Sequence, residues 1–179
     1  MTRRDDTKLV RECLRGNVKA FEELVDKYQK PVFNIVYRMC HNHEDARDLT
    51  QGVFLRAYER LKSFNPDYKF FSWIYRIAIN ESLNYLDKTK SMNEIPTTYQ
   101  TQDRSPEEVL EKMELDENIQ QALLKIDEKY RALIILKHFQ NCSYQQIAQI
   151  IDMPEKTVKS RLYIARQQLG KILLQKGIS

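Results

Sequence analysis

Glycine and proline are scarce in this chain, four and five in 179 residues. Hairpin turns depend on such residues, so a strand-rich fold is disfavoured and helices are expected. Cysteine is scarce too: Cys13, Cys40 and Cys142 are an odd number in unrelated contexts. They offer no disulfide framework and suggest reduced thiols in a cytoplasmic protein. No apolar run approaches the length of a membrane span, and the opening MTRRDDTKLV lacks the apolar centre of a secretory leader. The expectation is a cytoplasmic chain with no membrane insertion. Catalytic groups are thin as well. The three histidines are His41, His43 and His138, and there is no phosphate loop, no H-E-x-x-H and no C-x-x-C. Cys40-His41-x-His43 and His138-x3-Cys142 offer two metal ligands each, and neither reaches a set of four. Surface histidines and buried cysteines are the plainer reading, so no cofactor and no enzyme activity are expected.

What the chain does have is charge in a definite layout. Charged residues make up 30% and hydrophobic residues 42%, the balance of a globular protein. The net charge of +4 is a mild lean towards a polyanion. It hides a dipolar arrangement. Asp103–Glu117 holds seven acids against two cations, whereas Glu155–Lys176 holds six cations against one acid.

Helical periodicity runs almost throughout. Two short helices are divided by the turn pair Gly16-Asn17. A stripe then follows through Phe21, Leu24, Val25, Tyr28, Val32, Ile35, Val36 and Met39. Pro31 falls inside it and is expected to kink or restart the helix. Another stripe runs Ala46, Leu49, Val53, Phe54, Ala57, Tyr58 and Leu61, with Glu44 and Asp45 placed at its positive N-terminus. After the loop FNPDY a third helix is expected from about Phe71 to Leu86, with Trp73, Ile74, Ile77 and Ala78 on its buried side. The fold class is therefore all-α, in two small helical domains. The first covers 1–89. Residues 90–104, without period and carrying a proline, read as a flexible linker. The second covers 105–179, opened by Ser105 as N-cap, Pro106 and two acids.

The second domain carries a helix-turn-helix pattern. Ser143 and Gln146 form an S-x-x-Q capping box. Ile147, Ala148 and Ile151 make the inner face of the first helix, Asp152-Met153-Pro154 is the break, and Val158, Leu162, Ala165, Leu169 and Ile172 line the inside of the next. Asp152 occupies a turn position often held by glycine, and aspartate tolerates left-handed backbone angles. Outside remain Glu155, Lys156, Thr157, Lys159, Ser160, Tyr163 and Arg166, short polar groups and cations suited to base edges and phosphates in a major groove. The alternative is a basic solvated helix that ends an ordinary bundle.

A different face recurs in the helix after FNPDY. Arg76, Asn80, Asn84 and Lys88 are spaced by four, two amides between two cations. Phe64, Tyr68, Phe70, Phe71, Trp73 and Tyr75 cluster beside them. Aromatics next to cations suit stacking and backbone neutralisation of a single strand. Core packing explains Phe70 and Trp73 equally well; it explains Phe64 and Tyr68, in a polar loop, less well.

Two nucleic-acid surfaces on two linked domains resemble a bacterial RNA polymerase sigma factor, of the small extracytoplasmic-function (ECF) group of the sigma-70 family, which keeps only regions 2 and 4. The residues that carry the resemblance are AFEELVDKY, EDARDLTQGVFLRAYERL, FFSWIYRIAINESLNYL, KYRALIILKHFQNCSYQQIAQII and EKTVKSRLYIARQQL, in family order over nearly the whole chain. The resemblance implies region 2 in 1–89 and region 4 in 105–179. It implies docking on core RNA polymerase by Asp45, Asp48, Leu49, Gln51, Val53, Phe54 and Arg56, where the family commonly has Glu at the place of Gly52. It implies capture of the single-stranded −10 element by Phe64, Tyr68, Lys69, Trp73, Arg76, Asn80, Asn84 and Lys88. It implies reading of the duplex −35 element by Glu155, Lys156, Thr157, Lys159, Ser160, Tyr163 and Arg166; some relatives are basic at the place of Ile164. The partners are then core polymerase and promoter DNA, and an anti-sigma factor is compatible. The acidic helix Glu107–Glu117 is expected to keep the free chain off DNA or to track through basic channels of polymerase. Two rival readings stay open: a helix-turn-helix regulator with an unrelated sensor domain, which needs no strand-opening face, and a sigma mimic that binds an anti-sigma partner, which would have a degraded recognition helix.

Overall fold

The structure is a computed structural model that describes residues 5–92 and 107–177, and every regular element among them is helical. Helix α1, Asp6–Leu14, starts where the Asp5 carboxylate accepts from the Thr7 N–H. It ends at Gly16, whose φ of +96° is one that side chains disfavour. Helix α2 then runs unbroken over Val18–Cys40 with Pro31 inside it. The expected restart does not occur. Pro31 has no N–H to offer the Lys27 carbonyl, a loss of ~3 kcal/mol in an isolated helix. Burial of Leu24, Tyr28, Val32, Ile35, Val36 and Met39 along one side offsets it.

Helix α3, His43–Glu59, is capped by the Asn42 side chain, which accepts from the Glu44 and Asp45 N–H groups. Gly52 sits on its outer side, where an added Cβ would meet nothing. Gly52→Ala is therefore expected to stabilise the fold by about 1 kcal/mol, read as a higher urea midpoint at unchanged slope. After a 3-10 turn over Leu61–Ser63, helix α4 spans Phe70–Met92. It extends beyond the predicted end, and Lys90 in its last turn pairs with Glu128 of the second half.

Helix α5 covers Glu107–Leu124; the predicted Ser105-Pro106 start and most of the predicted linker lie outside the described residues. Helix α6, Glu128–Ile134, is capped by Asp127 and passes into a π-helical turn over Ile135–Phe139. Helices α7, Tyr144–Ile151, and α8, Glu155–Gln175, complete the chain.

The two halves, α1–α4 and α5–α8, are packed together and share one apolar core. Helix α4 lies on α6 and α7, and α2 lies on α5 and α6. Arg131 is the polar centre of the seam, 5% exposed and held by backbone carbonyls. Its Nε donates to Leu123 O at 2.9 Å and its Nη2 to Leu124 O and Ile126 O at 2.9 and 3.1 Å. Its Nη1 crosses the seam to Met39 O. One guanidinium thus ties the α5–α6 turn to the end of α2.

Candidate nucleic-acid interface

The α7–α8 pair has the predicted helix-turn-helix geometry, and local chemistry explains it. Ser143 Oγ accepts from the Gln146 N–H at 3.1 Å, and Gln146 Oε1 accepts from the Ser143 N–H at 2.8 Å. Asp152 closes α7 in the left-handed region at φ 58°, and Pro154 precedes the first turn of α8. Ile147, Ile150, Val158, Leu162 and Ala165 are buried. Ile150 takes the deep position predicted for Ala148 and Ile151, which are half-buried.

Of the predicted reading set on α8, Glu155, Lys156, Lys159, Ser160, Tyr163 and Arg166 are exposed, and Thr157 is half-buried. Several are held in place. Lys159 Nζ lies 2.7 Å from Glu155 Oε1. Ser160 Oγ donates to Thr157 O at 3.0 Å. Arg166 Nε donates to His138 Nε2 at 3.1 Å. Burial, Arg166 and Lys137 depress the basicity of His138, which favours the neutral acceptor. Ile164 is exposed as well.

The second face lies on α4. Asn80, Asn84 and Lys88 are exposed and Arg76 half-buried. Beside Arg76 opens a cavity of about 760 Å³ lined by Arg60, Phe64, Asn65, Tyr68, Ser72 and Trp73, among others. Tyr68 and Lys69 are exposed on its loop and Trp73 is half-buried. Phe64 departs from the expectation of a ring presented to a strand: it is 8% exposed, edge-on to Phe70 and Trp73 with centroids 5.6 Å away. A loop ring goes inside when two core aromatics offer it edge-to-face packing, so Phe64 walls the cavity without standing out from it. Ser72, which no sequence pattern singles out, is 4% exposed, and its Oγ has no hydrogen-bond partner among the described residues. It lines this same cavity.

The third surface is the outer side of α3. Asp48 and Gln51 are exposed and Leu49 is half-buried. Arg56 is held by Glu81 at 3.1 Å. Asp45 accepts from the Tyr85 hydroxyl at 2.6 Å; burial and this carboxylate push the tyrosine up to about 12. Val53 and Phe54, predicted to dock, are core residues. They lie on the apolar stripe of α3, and burying them is what fixes the helix. Leu55, 62% exposed, and Tyr58 stand on the solvent side in their stead. Cys40 and Cys142 are buried thiols, the latter pushed up to about 11 by burial. His43 packs on Phe33 and Tyr37.

Known proteins resemble this chain in sequence and fold. Residues 24–92 match sigma-70 region 2, and residues 116–169 match sigma-70 region 4. The chain is 34% identical to the ECF RNA polymerase sigma factor SigW of Bacillus subtilis, with 93% of this chain and 95% of that protein covered. It is 32% identical to the ECF RNA polymerase sigma-E factor of Escherichia coli, with 92% of each covered. Among solved structures, CnrH in complex with the cytosolic domain of CnrY has the same fold, with a TM-score of 0.73 at 24% identity over 94% of this chain and 96% of that one. With both regions present, in order, and relatives aligned end to end, this chain belongs to the extracytoplasmic-function group of sigma-70-family RNA polymerase sigma factors, transcription initiation factors and not enzymes.

Proposed function

We propose that residues 5–92 and 107–177 divide promoter recognition between them in the cytoplasm, each reading one DNA element while α3 docks on core polymerase. The observation that carries this reading is the pairing of two unlike surfaces. One is a helix with exposed cations and hydroxyls near its N-terminus, suited to duplex. The other is an aromatic-walled cavity with an arginine at its rim and two amides along the same helix, suited to an unstacked base and its backbone.

Each role follows from chemistry. Base pairs open when a flipped base gains better contacts on the protein than in the stack, at a cost of a few kcal/mol. Trp73 and Tyr68 supply stacking area, Arg76 and Lys88 neutralise phosphates, and Asn80 and Asn84 address base edges. Ser72 supplies a hydroxyl at the cavity wall. On α8, Lys159, Ser160 and Arg166 address base edges or phosphates of the −35 duplex, flanked by Glu155, Lys156, Thr157 and Tyr163. On α3, Asp48, Leu49, Gln51, Leu55 and Arg56 form the polymerase-facing set, with Asp45 fixing α3 to α4. Core polymerase supplies the phosphodiester chemistry.

Run-off transcription on a fragmented genomic library, chain plus core polymerase against core alone, tests the reading. New starts that share paired upstream motifs are expected, with Asn80→Ala relaxing the −10 motif and Lys159→Ala the −35 motif. A good base contact discriminates by ~1–3 kcal/mol. Duplex binding without any effect on polymerase would favour an ordinary regulator. Ser72→Ala gives a finer check. Its Oγ has no partner to lose among the described residues, so stability should hold or rise by up to ~1 kcal/mol, while affinity for the −10 strand falls several-fold. A loss of stability with unchanged strand affinity would assign Ser72 to the core alone.

A further inference from the structure

Arg166 stands exposed on α8 and is held at one atom. Its Nε donates to His138 Nε2 at 3.1 Å, a contact that spans 28 positions of sequence. An arginine Nε–H only donates, so His138 Nε2 accepts and the ring proton sits on Nδ1. Nη1 and Nη2 of Arg166 make no hydrogen bond among the described residues, which leaves the outer end of the fork for a ligand. His138 comes from the π-helical turn Ile135–Phe139, an element that recurs at functional sites. That turn is rigidly seated. Ile135 and Leu136 are fully buried, and their carbonyls accept from the Gln140 and Cys142 N–H groups at 3.1 and 3.0 Å. The imidazole thus stands on a fixed base beside α8.

The charged groups that face His138 are Arg166 from α8 and Lys137 from its own turn, both cations. The helices packed on the turn add no acid to it among the described residues. On α2, Arg38 stacks on Phe139 at 3.7 Å and takes up Asp116 of α5 at 2.9 Å. On α6, Glu128 is taken up by Lys90, and Arg131 by backbone carbonyls. On α7, Tyr144 lies under Lys137 and under Lys159, whose acid partner is Glu155. Burial and the two cations therefore both favour the neutral ring, which is the form that can accept from Arg166.

We infer that His138 is a positioning residue for Arg166: it holds the guanidinium by Nε so that Nη1 and Nη2 are presented together to a base edge of the −35 duplex. A freely swinging arginine settles on phosphate, which carries no sequence information. A held fork makes the two-pronged base contact that discriminates, and pays less ordering entropy on binding. Protonation of His138 removes the acceptor and sets two cations against each other, so Arg166 is released. Discrimination is then full where His138 is neutral and falls as the pH drops through a value below the ordinary ~6.5 of histidine. The inference rests on the assignment of α8 to the −35 duplex, and its test separates the two.

The readout is the ratio of affinities of the full chain for a fluorescein-labelled duplex carrying the −35 motif mapped by run-off and for the same duplex with the motif scrambled. An added imidazolium strengthens binding to both duplexes, so the ratio isolates discrimination from charge. At about pH 7.5, His138→Ala should lower the ratio about fivefold, with an unchanged urea midpoint because the contact is exposed. His138→Gln keeps an acceptor that does not titrate. It should match wild type at about pH 7.5 and hold its ratio at about pH 5, where wild type falls to the level of His138→Ala. A folded His138→Ala chain with wild-type discrimination would overturn the inference, as would a glutamine variant that declines with pH as wild type does. Nitrogen-15 NMR of the free chain adds a signature that packing alone would not set: the neutral ring should carry its proton on Nδ1, and a proton on Nε2 would overturn the contact. Arg166→Ala stands apart: an unchanged ratio there removes Arg166 from −35 reading, and the ring tautomer still decides whether His138 holds it.

Discussion

Arg131→Leu is expected to destabilise the protein by about 3–5 kcal/mol. Leucine fills the space but donates nothing. The carbonyls of Leu123, Leu124, Ile126 and Met39 would lose their common donor, and the bonds to Leu123, Ile126 and Met39 are buried. Each buried acceptor left without a partner costs ~1–3 kcal/mol, reduced where water enters. A domain has ~5–15 kcal/mol in total, so the loss is a large share. Arg131→Lys should recover only part of it, since an ammonium is a point donor and cannot reach carbonyls spread around a planar fork. Urea unfolding followed by circular dichroism measures both variants. A cost below about 1 kcal/mol for the leucine variant would mean that the seam hydrates readily and that Arg131 is not its centre.

Arg76→Glu is the functional counterpart. It should weaken binding of the −10 strand by about 100-fold, equivalent to about 2.7 kcal/mol, by removing a cation and adding repulsion at the rim of the cavity. Opening of promoter thymines to permanganate in the polymerase complex should fall with it. Binding of α8 to duplex −35 DNA should not fall, because Arg76 is on α4. Arg76→Lys should retain most of the strand affinity if the contact is to phosphate, and lose it if the contact is a forked one to a base edge. Equal losses on strand and duplex would mean a broken fold and not a lost contact.

The helices are legible in the sequence because their causes are local. The Ser143–Gln146 capping box, the Gly16 turn and the left-handed Asp152 each act within a few residues. The spacing by four of Arg76, Asn80, Asn84 and Lys88 needs only the helical repeat to become one face. The continuity of α2 through Pro31 and the burial of Phe64 have the opposite kind of cause. The fate of a proline in a helix, or of a ring in a loop, depends on how much apolar surface waits on the other side, and that surface comes from elsewhere in the chain.

The same distinction separates what the sequence by itself determined from what only the tertiary structure decided. Family and fold class came from short-range patterns and motif order. Burial of Val53 and Phe54 beneath the α3 surface, the place of Ser72 in the cavity wall and the packing of the helix-turn-helix corner beside Arg76 did not. Arg131 meets Met39 across 92 positions, and Arg38 meets Asp116 across 78. No periodicity encodes such pairs. They form because buried donors must find acceptors and paired charges must share one seam, and those conditions exist only once both halves have folded.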